Sequence, residues 1–205
     1  MTVYLVRHGL AAAGAADLDP GLAELGHAQA RAAANCLRST KATRLLVSPL
    51  RRTRETAEPI AAELGLRQEI RDEVAEVFDP SMPAAERQAM IGPFMAGNWA
   101  DQPEHLRAWR RRVVDTVLEA GLAASASGHD LVIVSHYIAI GAVIGESVGD
   151  DRVVPRPMAN ASITTVEAGP GGFTLVEAAS VTHLAPEEVT GVGSAIAGGG
   201  NAPRP

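Results

Sequence analysis

Three short stretches of the sequence hold residues that suit chemistry on a phosphate group. His8 stands between Arg7 and Gly9, Arg52 closes a Ser-Pro-Leu-Arg-Arg run, and His136 follows an apolar run. A neutral imidazole is a competent nucleophile near pH 7, because its ordinary pKa is about 6.5. Arginine stays charged, and its planar fork matches phosphate oxygens. A glycine beside the nucleophile lets the backbone approach a bound anion. These stretches favour phosphoryl transfer, provided that the fold brings them together and adds a carboxylic acid to protonate the leaving oxygen.

The elements around these stretches predict how they meet. Five segments are predicted as strands: Val3–Val6, Arg44–Val47, Leu131–Val134, Ile163–Glu167 and Phe173–Ala178. Four amphipathic segments are predicted as helices: Leu22–Arg38, Thr53–Leu64, Glu104–Ala124 and Ile138–Glu146. The alternation favours an α/β fold, a three-layer α/β/α sandwich with a mainly parallel mixed sheet. Because ligands bind at the carboxyl ends of parallel strands, we expect His8 and His136 to lie at one edge of that sheet.

The composition argues against several classes of protein. The single cysteine, Cys36, permits no disulfide within the chain and favours a reducing cytoplasm. The first apolar run is too short for a signal peptide or a membrane span. A net charge of −6 and 3% aromatic residues are untypical of nucleic-acid-binding proteins. We therefore expect a cytoplasmic protein that binds neither membranes nor nucleic acids, and no spacing of His, Cys and Asp demands a metal.

The chain is predicted to form one main unit. At 205 residues it has the length of one generous domain. Residues 1–190 are assigned to this domain, and residues 79–100, rich in Pro, Met and Gly, are interpreted as a partly helical insertion over one end of the sheet. Residues 191–205 form a Gly-rich tail for which we expect little fixed structure.

Five motifs follow one another in a recognisable order. They are L-V-R-H-G at 5–9, D-P-G-L at 19–22 with Q-A at 29–30, S-P-L-R-R-T-R-E-T-A at 48–57, V-S-H at 134–136 and N-A-S-I at 160–163. In residues and order they resemble the histidine phosphatase superfamily, also called the phosphoglycerate-mutase-like family, over roughly residues 3–184. The resemblance implies a phosphoglycerate-mutase-like fold and an enzyme that needs no metal or other cofactor.

The resemblance also implies roles for the residues in the motifs. His8 would become phosphohistidine, with Arg7, Arg52 and His136 lining the phosphate pocket. The family's proton donor stands in an L-x-E pattern, and its best match is Val74-Ala75-Glu76, so Glu76 is the candidate acid. Asp72 and Glu73 are its alternatives. Arg51, next to the motif's arginine, is interpreted as a solvated neighbour.

The chain departs from the family pattern at three places. Residues 10–14 read L-A-A-A-G, so a side-chain phosphate ligand usual after R-H-G is missing. Glu76 is followed by V-F-D-P instead of the family's F-G-x-W-E-G. Tyr137 stands where S-H is usually followed by glycine, and we expect it to narrow the mouth of the pocket or to add a hydroxyl to it. These departures bear on the acid and on the substrate more than on the fold.

The most probable function on these grounds is a phosphomonoester hydrolase, a histidine phosphatase acting on a small phosphorylated substrate. A phosphoglycerate-mutase-type phosphotransferase is the alternative within the enzyme class. A phosphate-binding regulatory module with little turnover is the alternative outside it. A nucleotide-binding oxidoreductase is disfavoured, since no G-x-G-x-x-G follows the first strand. The resemblance leaves a homodimer open.

Overall fold

The computed structural model of the chain describes residues 1–12, 17–78, 82 and 84–192, and one six-stranded sheet forms its centre. The strands are β1 (Thr2–Arg7), β2 (Ala42–Val47), β3 (Gln68–Ile70), β4 (Asp130–Ser135), β5 (Ile163–Gly169) and β6 (Gly172–Ser180). The helices are α1 (Glu24–Leu37), α2 (Arg51–Leu64), α3 (Ala84–Ala96), α4 (Glu104–Ala126) and α5 (Tyr137–Val148). Short 3-10 turns lie at Asp72–Val74, Trp99–Asp101 and Pro186–Glu188.

The strands run in the order β3-β2-β4-β1-β5-β6. The pairs β3–β2, β2–β4 and β4–β1 are parallel, whereas β5 and β6 pair antiparallel with their neighbours. The predicted mainly parallel mixed sheet and the α/β class are confirmed. The five predicted strands all form. The sixth, β3, was not predicted because its three residues are too few to show a period of two, and two of them are polar.

Alternation along the central strands explains the three layers. In β1, Val3 and Leu5 join the apolar cluster that α4 and α5 cover, while Val6 joins the cluster that α1 and α2 cover on the opposite face. In β4, Leu131 and Ile133 face the first cluster, and Val132 and Val134 face the second. Successive side chains of a strand point to opposite faces, so each central strand contributes to both cores. The predicted α/β/α sandwich is what this alternation builds.

The predicted insertion contains a regular helix. Within 79–100, α3 packs on the first apolar cluster through Phe94, which lies edge-on to Phe78 and to Trp99 at ring-centroid distances of 5.2 Å and 5.6 Å. Residues 79–81 and 83 fall outside the described part, as does the tail from 193 onward. The placement of this insertion over the end of the sheet that carries the site therefore stays a prediction. None of the described helices is both long and apolar enough to cross a membrane.

The loop after β1 packs directly on the backbone of α1. A Cβ atom on Gly9 would lie 2.6 Å from the carbonyl oxygen of Gly26, and one on Gly26 would overlap the carbonyl oxygen of Leu10. Such distances are far below van der Waals contact. The absence of a Cβ atom on Gly9 therefore admits the first turn of α1, and the approach of its backbone to a bound anion stays a prediction.

This contact gives a prediction about stability. We expect Gly26→Ala to lower the free energy of unfolding by about 1–3 kcal/mol, the usual cost of overpacking, because the new methyl group meets the backbone of Leu10, which cannot move aside as a flexible side chain could. Gly92→Ala in α3 is the matched control: no described residue lies within 4 Å of its added methyl group, and alanine is the better helix former. Urea denaturation of both variants measures the difference. Equal stability of the two variants would contradict the close packing of the loop on α1.

Candidate active site

The sheet brings the two histidines to one edge. β1 and β4 are parallel neighbours with Arg7 opposite Ser135, so His8 and His136 each stand one residue past the end of a strand. Their ring centroids lie 5.3 Å apart at an interplanar angle of 60°. Arg52, in the first turn of α2, reaches both rings. The topology thus assembles groups that are separated by up to 128 residues.

His8 is held with one ring nitrogen turned to the backbone and the other turned to Arg52. Its Nδ1–H donates to the carbonyl oxygen of Gly9 at 2.8 Å, which leaves the lone pair on Nε2. Nε2 lies 3.3 Å from Nε of Arg52. The pKa of His8 is lowered well below its ordinary value, first by burial and then by the charges of Arg52 and Arg7. At neutral pH the ring is therefore an uncharged imidazole with a nucleophilic Nε2.

Arg52 links the nucleophile to the other polar groups of the site. Its Nη2 lies 3.4 Å from Nδ1 of His136, and its Nη1 lies 3.7 Å from a carboxylate oxygen of Asp19. The side chain is 14% exposed. The neighbouring Arg51 is 55% exposed, and its Nε donates to Glu55 at 2.7 Å. The sequence-based distinction between the two arginines corresponds to these positions, since Arg52 alone of the pair contacts the histidines.

Arg7 lies deeper than Arg52 and is fixed by main-chain carbonyls. Its Nη1 donates to the carbonyl oxygens of Met158 and of Gly191, the latter at 2.9 Å. Its guanidinium carbon sits 4.8 Å from the ring centroid of Tyr137, a cation–π distance. Burial lowers the pKa of Arg7 to about 10, so the group stays charged at neutral pH.

Tyr137 occupies a different place from the one expected. It was predicted to narrow the mouth of the pocket or to add a hydroxyl to it, but only 2% of the residue is exposed and its ring contacts Arg7. Burial raises the pKa of its hydroxyl. The position after His136 thus supplies an aromatic support for Arg7, a role that glycine could not take.

His136 is buried completely, and Ser48 fixes its ring. The Ser48 hydroxyl lies 2.6 Å from Nε2, and a hydroxyl satisfies that nitrogen in either ring tautomer. Nδ1 consequently faces Arg52 and a carboxylate oxygen of Glu76, which is 3.9 Å away. Burial, followed by the charge of Arg52, lowers the pKa of His136 well below its ordinary value.

Glu76 is the carboxyl group that the structure brings to the histidines. Its side chain is 4% exposed, and one of its oxygens accepts a hydrogen bond from the amide of Val77 at 2.9 Å. Burial raises its pKa, outweighing that hydrogen bond and the arginine charges. Asp72 and Glu73, the alternatives from the sequence, are exposed in the 3-10 turn that precedes it. A carboxylic acid with a raised pKa is a competent proton donor.

A hydrogen-bonded network that the sequence reasoning missed supports the nucleophile loop. The Gln29 side chain accepts from the amide of Leu10 at 2.8 Å and donates to the hydroxyl of Thr190 at 2.9 Å. Thr190 donates to Asn160 at 3.2 Å, and Asn160 donates to the carbonyl oxygen of His8 at 3.3 Å. Gln29 and Asn160 stand in the recognised motifs, which could have signalled a role. Thr190 lies 182 positions beyond His8, and no pattern marks it.

The Thr190 hydroxyl gives a second testable prediction. We expect Thr190→Val to lower kcat/KM by about tenfold, because the Gln29 amide loses one of its two acceptors, the Asn160 side-chain oxygen loses a donor, and the His8 loop loosens. Thr182→Val is the control: its hydroxyl contacts only Ser180 among the described residues, at 3.3 Å, and the residue is exposed. Initial rates on an aryl phosphate measure both variants. An unchanged kcat/KM in Thr190→Val would show that the network does not support the loop.

The arrangement suits transfer of an anionic group to nitrogen. The guanidinium of Arg52 contacts both imidazoles, and the carboxyl group of Glu76 lies near the same nitrogen of His136 that Arg52 approaches. Fixed positive groups stabilise the charge that spreads over the equatorial oxygens of a transferring phosphoryl group. Over the described ranges, no three or more His, Cys, Asp or Glu residues come together as a metal site would require.

Comparison with known proteins identifies the family and the fold. The model of the histidine phosphatase superfamily (branch 1) matches residues 3–180. A probable phosphoglycerate mutase GpmB from Photorhabdus laumondii is 27% identical, over 90% of this chain and 95% of that protein. A native mycobacterial glucosyl-3-phosphoglycerate phosphatase superposes with a TM-score of 0.69 at 22% identity, covering 87% of this chain and 98% of that one. The protein histidine phosphatase SixA, complexed with tungstate, superposes with a TM-score of 0.60 at 23% identity, covering 86% of this chain and 95% of that one.

Proposed function

We propose a function on the premise that the chain belongs to the histidine phosphatase superfamily (branch 1), whose model spans most of it. The chain hydrolyses a phosphomonoester through a phosphohistidine formed on His8. One observation carries the proposal: Nδ1 of His8 is engaged by its own neighbour's carbonyl, while the uncharged Nε2 faces the guanidinium of Arg52. A nucleophile beside a fixed cation is what transfer of a phosphoryl group to nitrogen requires.

In the first step the substrate's phosphate enters between His8 and Arg52. Its oxygens replace the imidazole as the partner of the Arg52 guanidinium. Arg7 contributes further positive charge, and His136 contributes a ring N–H. Nε2 of His8 then forms a bond to phosphorus while the bond from phosphorus to the leaving oxygen breaks. Glu76 gives its proton to that oxygen, so that an alcohol departs and a carboxylate remains.

In the second step water takes the phosphoryl group from His8. The Glu76 carboxylate, now deprotonated, accepts a proton from the attacking water as the new bond to phosphorus forms and the bond to Nε2 breaks. Inorganic phosphate leaves, and both His8 and Glu76 return to their starting protonation states. The same group thus serves as acid and then as base.

The pH dependence of turnover tests this assignment. Because the pKa of His8 is depressed in the free protein, we expect kcat/KM to be retained as pH falls through 6.5 and to be lost only well below it. Because the pKa of Glu76 is raised, the activity requiring its protonated form is lost as pH rises through a value above 4.5. Phosphate release from 4-nitrophenyl phosphate, with and without a chelator, measures the profile. A second aryl phosphate of different acidity separates substrate ionisation from enzyme ionisation.

Two results would count against the proposal. Turnover abolished by the chelator would indicate metal-dependent chemistry. No turnover of any phosphomonoester, combined with tight binding of inorganic phosphate, would indicate the regulatory binding module instead.

A phosphoglycerate-mutase-type phosphotransferase is the second candidate. The relative named as a probable phosphoglycerate mutase covers 90% of this chain, and this favours the alternative. A mutase would return the phosphoryl group of His8 to a second hydroxyl, whereas a phosphatase gives it to water. Conversion of 3-phosphoglycerate to its 2-phospho isomer without release of phosphate would identify the mutase.

A further inference from the structure

The phosphate pocket takes positive charge from two guanidinium groups. The charges of Arg52 and Arg7 both act on the ionisations of His8, Glu76 and His136. Together they balance the two negative charges of a phosphomonoester dianion.

Arg51, the next arginine in the chain, is turned away and already neutralised. Its Nε donates to Glu55 at 2.7 Å, and its Nη1 lies 4.0 Å from Asp17. Its side chain is 55% exposed, so solvent screens what remains of its charge. Arg51 therefore offers little attraction to an anion that extends out of the pocket.

Asp19 places a negative charge on the solvent side of Arg52. Its carboxylate is 3.7 Å from Nη1 of Arg52, and its side chain is 37% exposed where that of Arg52 is 14%. The carboxylate is held in place because the backbone amide of Arg51 donates to both of its oxygens at 3.0 Å. Any group entering the pocket along Arg52 therefore passes a fixed negative charge. The nucleophile loop adds nothing to offset it, since residues 10–12 are Leu, Ala and Ala.

We propose that the site selects phosphomonoesters whose leaving group carries no negative charge, and that Asp19 imposes this selection. The inference rests on the proposed function and names its substrate class. An uncharged or cationic alcohol passes Asp19 without cost, whereas a carboxylate or a second phosphate is repelled by the Asp19 carboxylate. Asp19 acts through this field and through Arg52, and takes no part in bond making.

Two matched substrates test the proposal. Phenyl phosphate and 4-carboxyphenyl phosphate share one skeleton and differ by one distant negative charge. We expect wild-type kcat/KM to favour phenyl phosphate by about tenfold, the effect of two unit charges about 10 Å apart at an effective dielectric constant of about 20. Asp19→Asn should reduce that preference by about threefold to tenfold. The asparagine keeps an oxygen for the Arg51 amide, so the loop retains its anchor.

Asp17→Asn is the control variant. It removes the same charge from the same loop, but the Asp17 carboxylate pairs with Arg51, at 4.0 Å from Nη1. The asparagine keeps an oxygen for the Asp19 amide, which donates to Asp17 at 3.0 Å. We expect its preference for phenyl phosphate to match that of the wild type. A merely structural effect would lower kcat/KM for both substrates together and leave their ratio unchanged.

A binding measurement separates this inference from the proposed function. Benzylphosphonate and 4-carboxybenzylphosphonate cannot be hydrolysed, and calorimetry compares their affinities whether or not the protein turns over any phosphate. Weaker binding of the carboxylated compound, restored in Asp19→Asn, supports the inference even if hydrolysis is absent. Equal or tighter binding of the carboxylated compound, or a preference that Asp19→Asn leaves unchanged, overturns it even if hydrolysis is fast.

Discussion

Replacing His8 by alanine is expected to lower turnover of an aryl phosphate by at least about 10⁴-fold, as removal of a nucleophile does in covalent catalysis. The variant keeps Arg7, Arg52 and His136, so it should still bind inorganic phosphate. Alanine also removes the donor to the Gly9 carbonyl, but the loop retains the Asn160 and Gln29 contacts. Initial rates measured with equal amounts of folded protein give the ratio.

His105→Ala is the control for this variant. His105 is an exposed residue in the first turn of α4. We expect its rate to equal that of the wild type. A His8→Ala protein that folds and retains even a hundredth of the wild-type rate would mean that another group attacks the phosphorus.

Replacing Glu76 by glutamine is expected to slow hydrolysis in proportion to how poor the leaving group is. General acid catalysis contributes about 10²–10⁴-fold, and it matters most where the leaving oxygen is basic. For an alkyl phosphate we therefore expect a loss of about 10³-fold in kcat/KM. For 4-nitrophenyl phosphate, whose phenolate leaves unaided, the loss should be far smaller. The glutamine also cannot ionise, so the alkaline limb of the pH profile assigned to Glu76 should disappear.

Glu73→Gln provides the comparison for the acid. Glu73 is an exposed carboxylate three residues earlier in the chain, and it was an alternative acid from the sequence. We expect its leaving-group dependence to match the wild type. A uniform loss across all leaving groups in Glu76→Gln would indicate that the residue supports the fold of the site and donates no proton.

The elements that carry the site were predictable because their signals are local. Continuous apolar runs ending in Arg7-His8 and Ser135-His136 predict buried parallel strands, and the carboxyl ends of such strands meet. The convergence of the two histidines could therefore be inferred before any coordinate was known. The strand β3 could not be predicted, since its three residues are too few to show a periodic pattern.

The support of the site was not predictable, because it depends on contacts between distant parts of the chain. Thr190 reaches the His8 loop only after the segment beyond β6 returns across the sheet edge, and no local pattern encodes that path. Tyr137 was recognised as a departure from the family, but its side-chain direction follows from its place in the first turn of α5 and from the position of Arg7. The close approach of Gly9 to Gly26 was likewise not predictable, because it joins the loop after β1 to α1.

The phosphoenzyme itself tests the central claim most directly. Wild-type protein mixed with a fast aryl phosphate and quenched within the first turnover should carry one phosphoryl group that is labile in acid and stable in base, as a phosphorus–nitrogen bond is. Peptide mass spectrometry under alkaline conditions should place it on His8, and His8→Ala should carry none. A phosphoryl group on another residue, or one that persists in His8→Ala, would contradict nucleophilic catalysis by His8.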